Sequence, residues 1–217
     1  MMAFSHRCDR LLLREFVASD AADIQGLHAD ARVRELLPDE QPLHEARWAA
    51  EFAACLAGFY RRHPGLGIWR CAVPLSAAEE QFAGWFSLMP LQASPDTVQL
   101  GIRPGDAELG SRLRPEHWGS GLSLSGGEVL LRHAFETLAL HTVWGICHPE
   151  NRGARVCLEA LGFTPRSRAL YEGQPSDYHA LDATTWSAVQ TLSRRERLRQ
   201  TRRALARSHR PTALALP

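Results

Sequence analysis

The sequence predicts a mixed α/β sheet, and three observations carry that reading. β-rich runs and helical patches alternate in the order β-α-α-β-β-β-α-β-α-β-β. A glycine-rich stretch, Glu116–Glu128, joins one strand directly to a helix. Two final β-rich runs flank a Glu172-Gly173 turn and read as a closing hairpin.

Arg10–Phe16 (R-L-L-L-R-E-F) reads as the first strand, with Arg10 and Arg14 on one edge. Ser19 or Asp20 can accept from the free amides of a first helical turn, so a helix is expected through about His28. A second helical piece, Ala31–Leu37, stops at Pro38. Leu43–Arg62 spaces Trp48, Phe52, Leu56 and Phe59 as an amphipathic helix, and Pro64-Gly65-Leu66-Gly67 breaks it. Ile68–Val73 and Gln81–Met89 are strands. Gln92–Pro104 is loop-like, with an extra piece of strand expected at Thr97–Ile102. Ala107–Leu113 alternates as a strand, and Val129–Leu140 has helical spacing. His141–Cys147 is β-rich, and Asn151–Leu161 is helical. Gly162 then stands where a left-handed C-terminal cap belongs. Phe163–Leu170 and Ser176–Ala183 form the hairpin. Gly126 and Gly127 each cost about 1 kcal/mol against alanine inside a helix, so an irregular helix start is expected there.

A chain of 217 residues suits one domain with a full core plus an appendage. Charge marks the boundary. Residues 187–217 hold eight arginines and one acid, Glu196, a net +7, against −6 for residues 1–186. The expected division is a domain over 1–186 and a basic C-terminal helix or flexible tail over 187–217. The opening M-M-A-F-S-H-R-C-D-R has no apolar signal core, and no run approaches the ~18 apolar residues of a membrane span. A cytoplasmic monomer or homodimer without membrane contact is expected. The five cysteines form no C-x-x-C and the ten histidines no H-E-x-x-H, so neither a disulfide framework nor a metal site is expected. An acidic body suits a cationic substrate, though a solvated surface explains it equally well.

Four glycines and three serines fall inside the thirteen residues Glu116–Glu128. A strand, a glycine loop and a helix N-terminus leave backbone amides pointing off the helix end, beside its positive dipole. That is a phosphate or pyrophosphate cradle, or a loop that merely turns tightly. The dinucleotide fingerprint fails because Leu124 replaces its third glycine, and the Walker loop fails because the chain has no lysine.

Taken together, the elements resemble the GNAT-type N-acetyltransferases, and within them the RimL/RimJ branch that acetylates ribosomal-protein N-termini. The resemblance spans roughly residues 9–183. It rests on R-L-L-L-R-E-F followed by Asp20, on Ala107-Glu108-Leu109-Gly110, and on Trp118-Gly119-Ser120-Gly121, which resembles a W-G-x-G loop. Asn151 followed by Leu158-Glu159-Ala160-Leu161-Gly162-Phe163 and the Tyr171–Asp177 hairpin also fit. The resemblance implies acetyl-CoA as co-substrate and a splayed central strand pair, here Ala107–Leu113 and His141–Cys147. The pantetheine arm would fill the gap, bonding backbone near Leu113 and Arg114, with Asn151 opposite. The phosphate loop would be Trp118-Gly119-Ser120-Gly121-Leu122-Ser123, its amides from Gly119 to Ser123 taking the pyrophosphate. The chain departs from the branch at Ser125 (usually Glu), Gly126 (usually Ala), Ala154 (usually the proposed serine acid) and Leu158, where other members carry a tyrosine acid.

The implied reaction is direct attack of a primary amine, on a protein N-terminus or a small molecule, on acetyl-CoA. The rival is a non-catalytic GNAT-like module that binds CoA or a partner without turnover. Glu108, on the strand bordering the arm, is the candidate base; its alternative is a structural carboxylate paired with arginine. Tyr171 and Asp177 could line the acceptor side. His148 could shuttle protons, and Cys147 could carry an acetyl group unless buried. Glu128 is expected to face solvent. The tail Ser187–Arg210 could dock on RNA or the ribosome through phosphate contacts. Without interleaved aromatics, a solvated helix or disordered extension is the preferred reading.

Overall fold

The computed structural model describes residues 4–37, 42–76, 78–93 and 95–208. The chain runs β1 (Ser5–Cys8), β2 (Leu11–Glu15), α1 (Ala21–Ala29), α2 (Ala31–Arg34), α3 (Ala46–Arg62), β3 (Gly67–Pro74) and β4 (Glu80–Pro90). It continues through α4 (Pro95–Gln99), β5 (Ala107–Leu113), α5 (Leu122–Arg132), β6 (Thr142–Cys147), α6 (Arg152–Ala160), β7 (Thr164–Tyr171) and β8 (Gln174–Asp182). Two more helices follow, α7 (Ala183–Val189) and α8 (Arg194–Ser208). The Pro38 stop and the last residues of the basic tail lie outside the described residues.

The expected mixed sheet is present. Its strands lie in the order β1-β2-β3-β4-β5-β6-β8-β7. Neighbours pair antiparallel except β5 and β6, which run parallel. Leu27, Ala53, Leu56 and Phe16 join Ile68, Phe82 and Trp85 on the face covered by α1 and α3. Leu130, Leu131, Leu158 and Leu161 cover the other face with Trp69, Phe86, Leu109 and Leu113.

The structure corrects several boundaries. A polar strand, β1, precedes the expected first one and pairs with it. Asp20 does not cap α1 through its side chain; it accepts instead from the Val17 amide at 2.8 Å and the Arg14 guanidinium at 2.6 Å. The stretch expected as strand at Thr97–Ile102 is not strand: its first three residues close α4, which begins at a proline, and a turn with Gly101 at φ 96° follows.

α5 starts at Leu122, seven residues before the expected helix, and passes through Gly126 and Gly127 without irregularity. The irregular part is its other end, a π turn over His133–Thr137. Both glycines are there for close approach. A Cβ on Gly126 would enter the Phe86 ring, and one on Gly127 would come within 2.7 Å of Leu161.

Glu128 does not face solvent. It accepts from Arg194 and Arg197 of α8, so the basic helix is docked across α5 and α6. Arg197 also donates to the Ala160 carbonyl at 3.2 Å, and Leu198 packs on the core. Ser193 and Glu196 bond each other's amides reciprocally, a capping box that starts α8.

Candidate active site

β5 carries the site because its two faces and its free edge do different work. Ala107, Leu109 and Leu113 enter the core under α5, which leaves Glu108, Gly110 and Arg112 on the opposite face. β5 pairs with β6 only at Ala107–Val143 and Glu108–Trp144. Beyond Glu108 the strands part, as the splayed-pair expectation requires. Arg114 donates its amide to the Ala83 carbonyl at 2.9 Å. By antiparallel alternation, the backbone groups of Leu113 then face away from β4, into the gap.

The two residues expected to bond a ligand arm therefore differ. Leu113 lies on the gap edge, with its carbonyl accepting the Trp118 indole at 2.8 Å. Arg114 lies off that edge: its amide is bonded to Ala83, and its carbonyl accepts the His117 amide. Its guanidinium turns back to the Phe82 ring and to Glu116.

At the end of the gap, Pro115–His117 make one 3-10 turn, and the loop then enters α5. Trp118, Gly119 and Ser120 are exposed. Gly119 and Gly121 hold φ of 72° and 82°, a backbone that other residues adopt only with strain. A Cβ at Gly119 would meet nothing within 4 Å, so the space beside the loop at that point is open. The first-turn amides of α5 have no partners within the helix. Leu122 donates its own to Ser120 Oγ at 3.3 Å, which leaves those of Ser123 and Leu124 for a ligand. His117 Nε2, in the turn before the loop, is buried without a protein partner among the described residues. An open cradle of amides at the mouth of a strand gap fits a pyrophosphate with an extended arm behind it.

Sequence reasoning missed the residues that hold this loop from outside. Arg10 donates to the Ser120 carbonyl at 3.0 Å from the β1–β2 turn. Ser125 Oγ donates to the Gly121 carbonyl at 3.2 Å and accepts from Arg194 of α8 at 3.2 Å. No local signal marks either contact, since Arg10 is 110 positions from Ser120 and Arg194 is 69 from Ser125.

Across the gap, Asn151 caps α6: its Oδ1 accepts the Ala154 amide at 2.9 Å, which leaves its side-chain NH2 for a ligand. Leu158 is buried and packs where Gly145 of β6 has no side chain. Neither Ala154 nor Leu158 offers a hydroxyl.

Glu108 and Tyr171 are brought together. The Tyr171 hydroxyl donates to Glu108 Oε2 at 2.8 Å. Burial pushes the Glu108 carboxyl up to about 7; the Tyr171 hydrogen bond and Arg112 oppose the rise, and Glu172 adds to it. Burial and the Glu108 carboxylate push the Tyr171 phenol above its usual range. Asp177 is elsewhere. It accepts from Arg168 at 2.6 and 3.1 Å across the β7–β8 pair, and that hydrogen bond holds its carboxyl below the usual range. Cys147 is buried and its thiol is raised to about 11 by burial, so it is not a thiolate at neutral pH. His148 Nδ1 accepts the Glu150 amide at 3.2 Å. Among the described residues no group of three or more His, Cys, Asp or Glu could hold a metal ion, and no helix is long and apolar enough to cross a membrane.

The acetyltransferase (GNAT) domain family matches residues 10–164. The FsC-acetyl coenzyme A-N(2)-transacetylase of Aspergillus fumigatus is 32% identical over 101 residues, which is 46% of this chain and 40% of that enzyme. Mycobacterium smegmatis RimJ, solved in complex with CoA-disulfide, superposes with a TM-score of 0.67 at 18% identity, covering 93% of this chain and 94% of its own. The ribosomal-protein-S5-alanine acetyltransferase of Vibrio fischeri also superposes with a TM-score of 0.67 at 18% identity, covering 84% of this chain and 98% of its own.

Proposed function

Since the chain belongs to the GNAT acetyltransferase family, we propose that it is an N-acetyltransferase that acetylates a protein N-terminus or peptide amine, in the manner of the RimL/RimJ branch. The observation that carries the reading is the β5–β6 gap, which opens onto the glycine loop with Glu108 at its last paired position. Acetyl-CoA supplies an activated thioester when bound. The amides from Gly119 to Ser123, except that of Leu122, which Ser120 Oγ holds, would take its pyrophosphate, Trp118 and Leu122 would bracket that loop, and the edge of Leu113 with the Asn151 NH2 would hold its arm. Glu108 would accept the proton of the attacking ammonium. An N-terminal amine ionises near 7.7–8.0, close enough for a carboxylate of pKa about 7 to act as its base. A backbone amide on the gap edge would face the acyl oxygen. Tyr171 would stand behind Glu108 on the acceptor side, whereas Asp177, paired with Arg168, stands apart from that pair.

The RimL/RimJ reading is supported by the Trp118-Gly119-Ser120-Gly121 loop and by two fold neighbours whose names specify RimJ and ribosomal-protein-S5-alanine acetylation. A small-molecule amine is the second reading; the transacetylase relative's name specifies transfer to an N(2) position.

Titration calorimetry with CoA tests the donor half. Binding at micromolar concentration is expected, together with a large loss in Gly121→Arg, whose side chain would occupy the phosphate position. A folded sample that binds no CoA at high micromolar concentration would overturn the reading. Thiol release from acetyl-CoA over a panel of N-terminal peptides, small amines and polyamines then separates the two acceptor classes. CoA binding with no turnover on any amine would favour the non-catalytic alternative.

A further inference from the structure

Tyr171 stands on β7, three places from β5 in the sheet, yet its hydroxyl reaches Glu108. The ring is held from several sides. Tyr178 of β8, itself buried, meets it edge to face at 6.4 Å between centroids. The Tyr178 hydroxyl donates to the Leu170 carbonyl at 3.1 Å, which fixes the backbone next to Tyr171. On the other side, Glu172 and Gly173 both hold left-handed φ, 49° and 78°, in a two-residue hairpin turn. The hydroxyl is thus a fixed donor aimed at one oxygen of a partly buried carboxylate.

The other charged and titratable groups around Glu108 are few. Arg112 shares its strand face and Glu172 approaches from the hairpin turn. Tyr178 approaches from β8. Asp106, two residues before Glu108, accepts the Trp144 indole at 2.8 Å and the Arg103 amide at 3.0 Å. Tyr171 hydrogen-bonds Glu108 directly.

Resting on the reading of Glu108 as the base, we propose that Tyr171 is a positioning residue. Its hydroxyl keeps Glu108 ionised and turns Oε1 toward the acceptor amine while occupying Oε2. This differs from lining the acceptor pocket. A lining residue would change which amine binds; a positioning residue changes when Glu108 loses its proton. A donor to a carboxylate favours the ionised form. Without it, burial and the Glu172 charge meet less opposition, so Glu108 holds its proton to higher pH.

The test is a 13C NMR titration of the full-length protein labelled at glutamate Cδ, with the Glu108 resonance assigned by its absence in Glu108→Gln. In the unsubstituted protein Glu108 is expected to titrate near neutrality. Tyr171→Phe, which keeps the ring on Tyr178, should raise that midpoint by about one pH unit. Its CoA affinity by calorimetry should stay unchanged, because the phosphate loop is untouched. Replacing Tyr171 with 3-fluorotyrosine, close in size and a stronger donor, should lower the midpoint, and this keeps the test decisive if Tyr171→Phe folds poorly. A Glu108 midpoint that neither replacement moves overturns the proposal. The measurement needs no acceptor, so an absence of turnover or of CoA binding counts against the proposed function and not against this contact.

Discussion

Glu108 carries its charge at a cost to stability. Its carboxyl ionises near 7 in the fold, against an ordinary value of 4.5. Between those values the folded state binds more protons than the unfolded chain, so stability falls as pH rises through this window and levels off above about 7. Glu108→Gln removes that penalty. The variant is expected to melt higher than the unsubstituted protein at pH 8 and at the same temperature at pH 4, read by calorimetry. The same substitution should lower kcat by ~10²-fold at neutral pH, because a glutamine cannot accept the ammonium proton. That loss should shrink as pH rises and more acceptor arrives neutral. A variant with near-normal kcat at pH 7 would assign proton removal to water. One with a lower melting temperature at pH 8 would make Glu108 a structural carboxylate.

At the scale of elements, α5 shows two uses of glycine. Gly126→Ala should gain about 1 kcal/mol of intrinsic helix propensity. The new methyl would enter the buried Phe86 ring, and overpacking a core costs about 1–3 kcal/mol. The expected outcome is a melting temperature lowered by several degrees; an unchanged or raised one would show that Phe86 yields. Gly119→Ala is the contrast. Its Cβ meets no protein atom, so the cost is left-handed backbone strain of about 1–2 kcal/mol. Its methyl would stand in the cradle, so CoA affinity should fall more than stability does. Calorimetric melting and CoA titration on both variants separate packing from binding.

At the scale of the whole molecule, α8 ties the far end of the chain to the helix that follows the glycine loop. Burial pushes the Glu128 carboxyl up, but hydrogen bonds from Arg194 and Arg197 outweigh it and hold the carboxyl below its usual range. The stability this clamp contributes is therefore present above about pH 4.5 and is lost as pH falls through the depressed folded value. In Glu128→Gln two partly buried guanidinium groups lose their counter-charge. Trypsin should then cleave within Arg194–Arg203 several-fold faster at neutral pH while the sheet stays intact, read by mass spectrometry of the released tail. Cleavage no faster than in the unsubstituted protein would place the docking on Leu198 and Thr201 alone, both of which the body shields. The +7 charge of residues 187–217 reads in sequence as a solvated face. Two of those arginines instead hold the helix down.

Adjacent residues alone account for part of this architecture. The alternation of Ala107–Leu113 set strand β5 to its end residues, and Glu172-Gly173 set the hairpin turn. The order of glycine loop, Asn151 and L-G-F was enough to indicate the family. The tertiary structure decided everything that depends on groups brought together from afar. Gly126 and Gly127 look like helix breakers until Phe86 and Leu161 show that no side chain would fit. Arg10 looks like a strand edge until the β1–β2 turn carries it to Ser120. Glu108 and Tyr171 lie 63 residues apart, and only the strand order and the curl of the last hairpin put a phenol on the carboxylate. The physical reason is reach. Propensity, capping and turn chemistry act over about four neighbours along the chain. Close approach, burial and the proton affinity of a carboxyl group are set by whatever the sheet packs beside it.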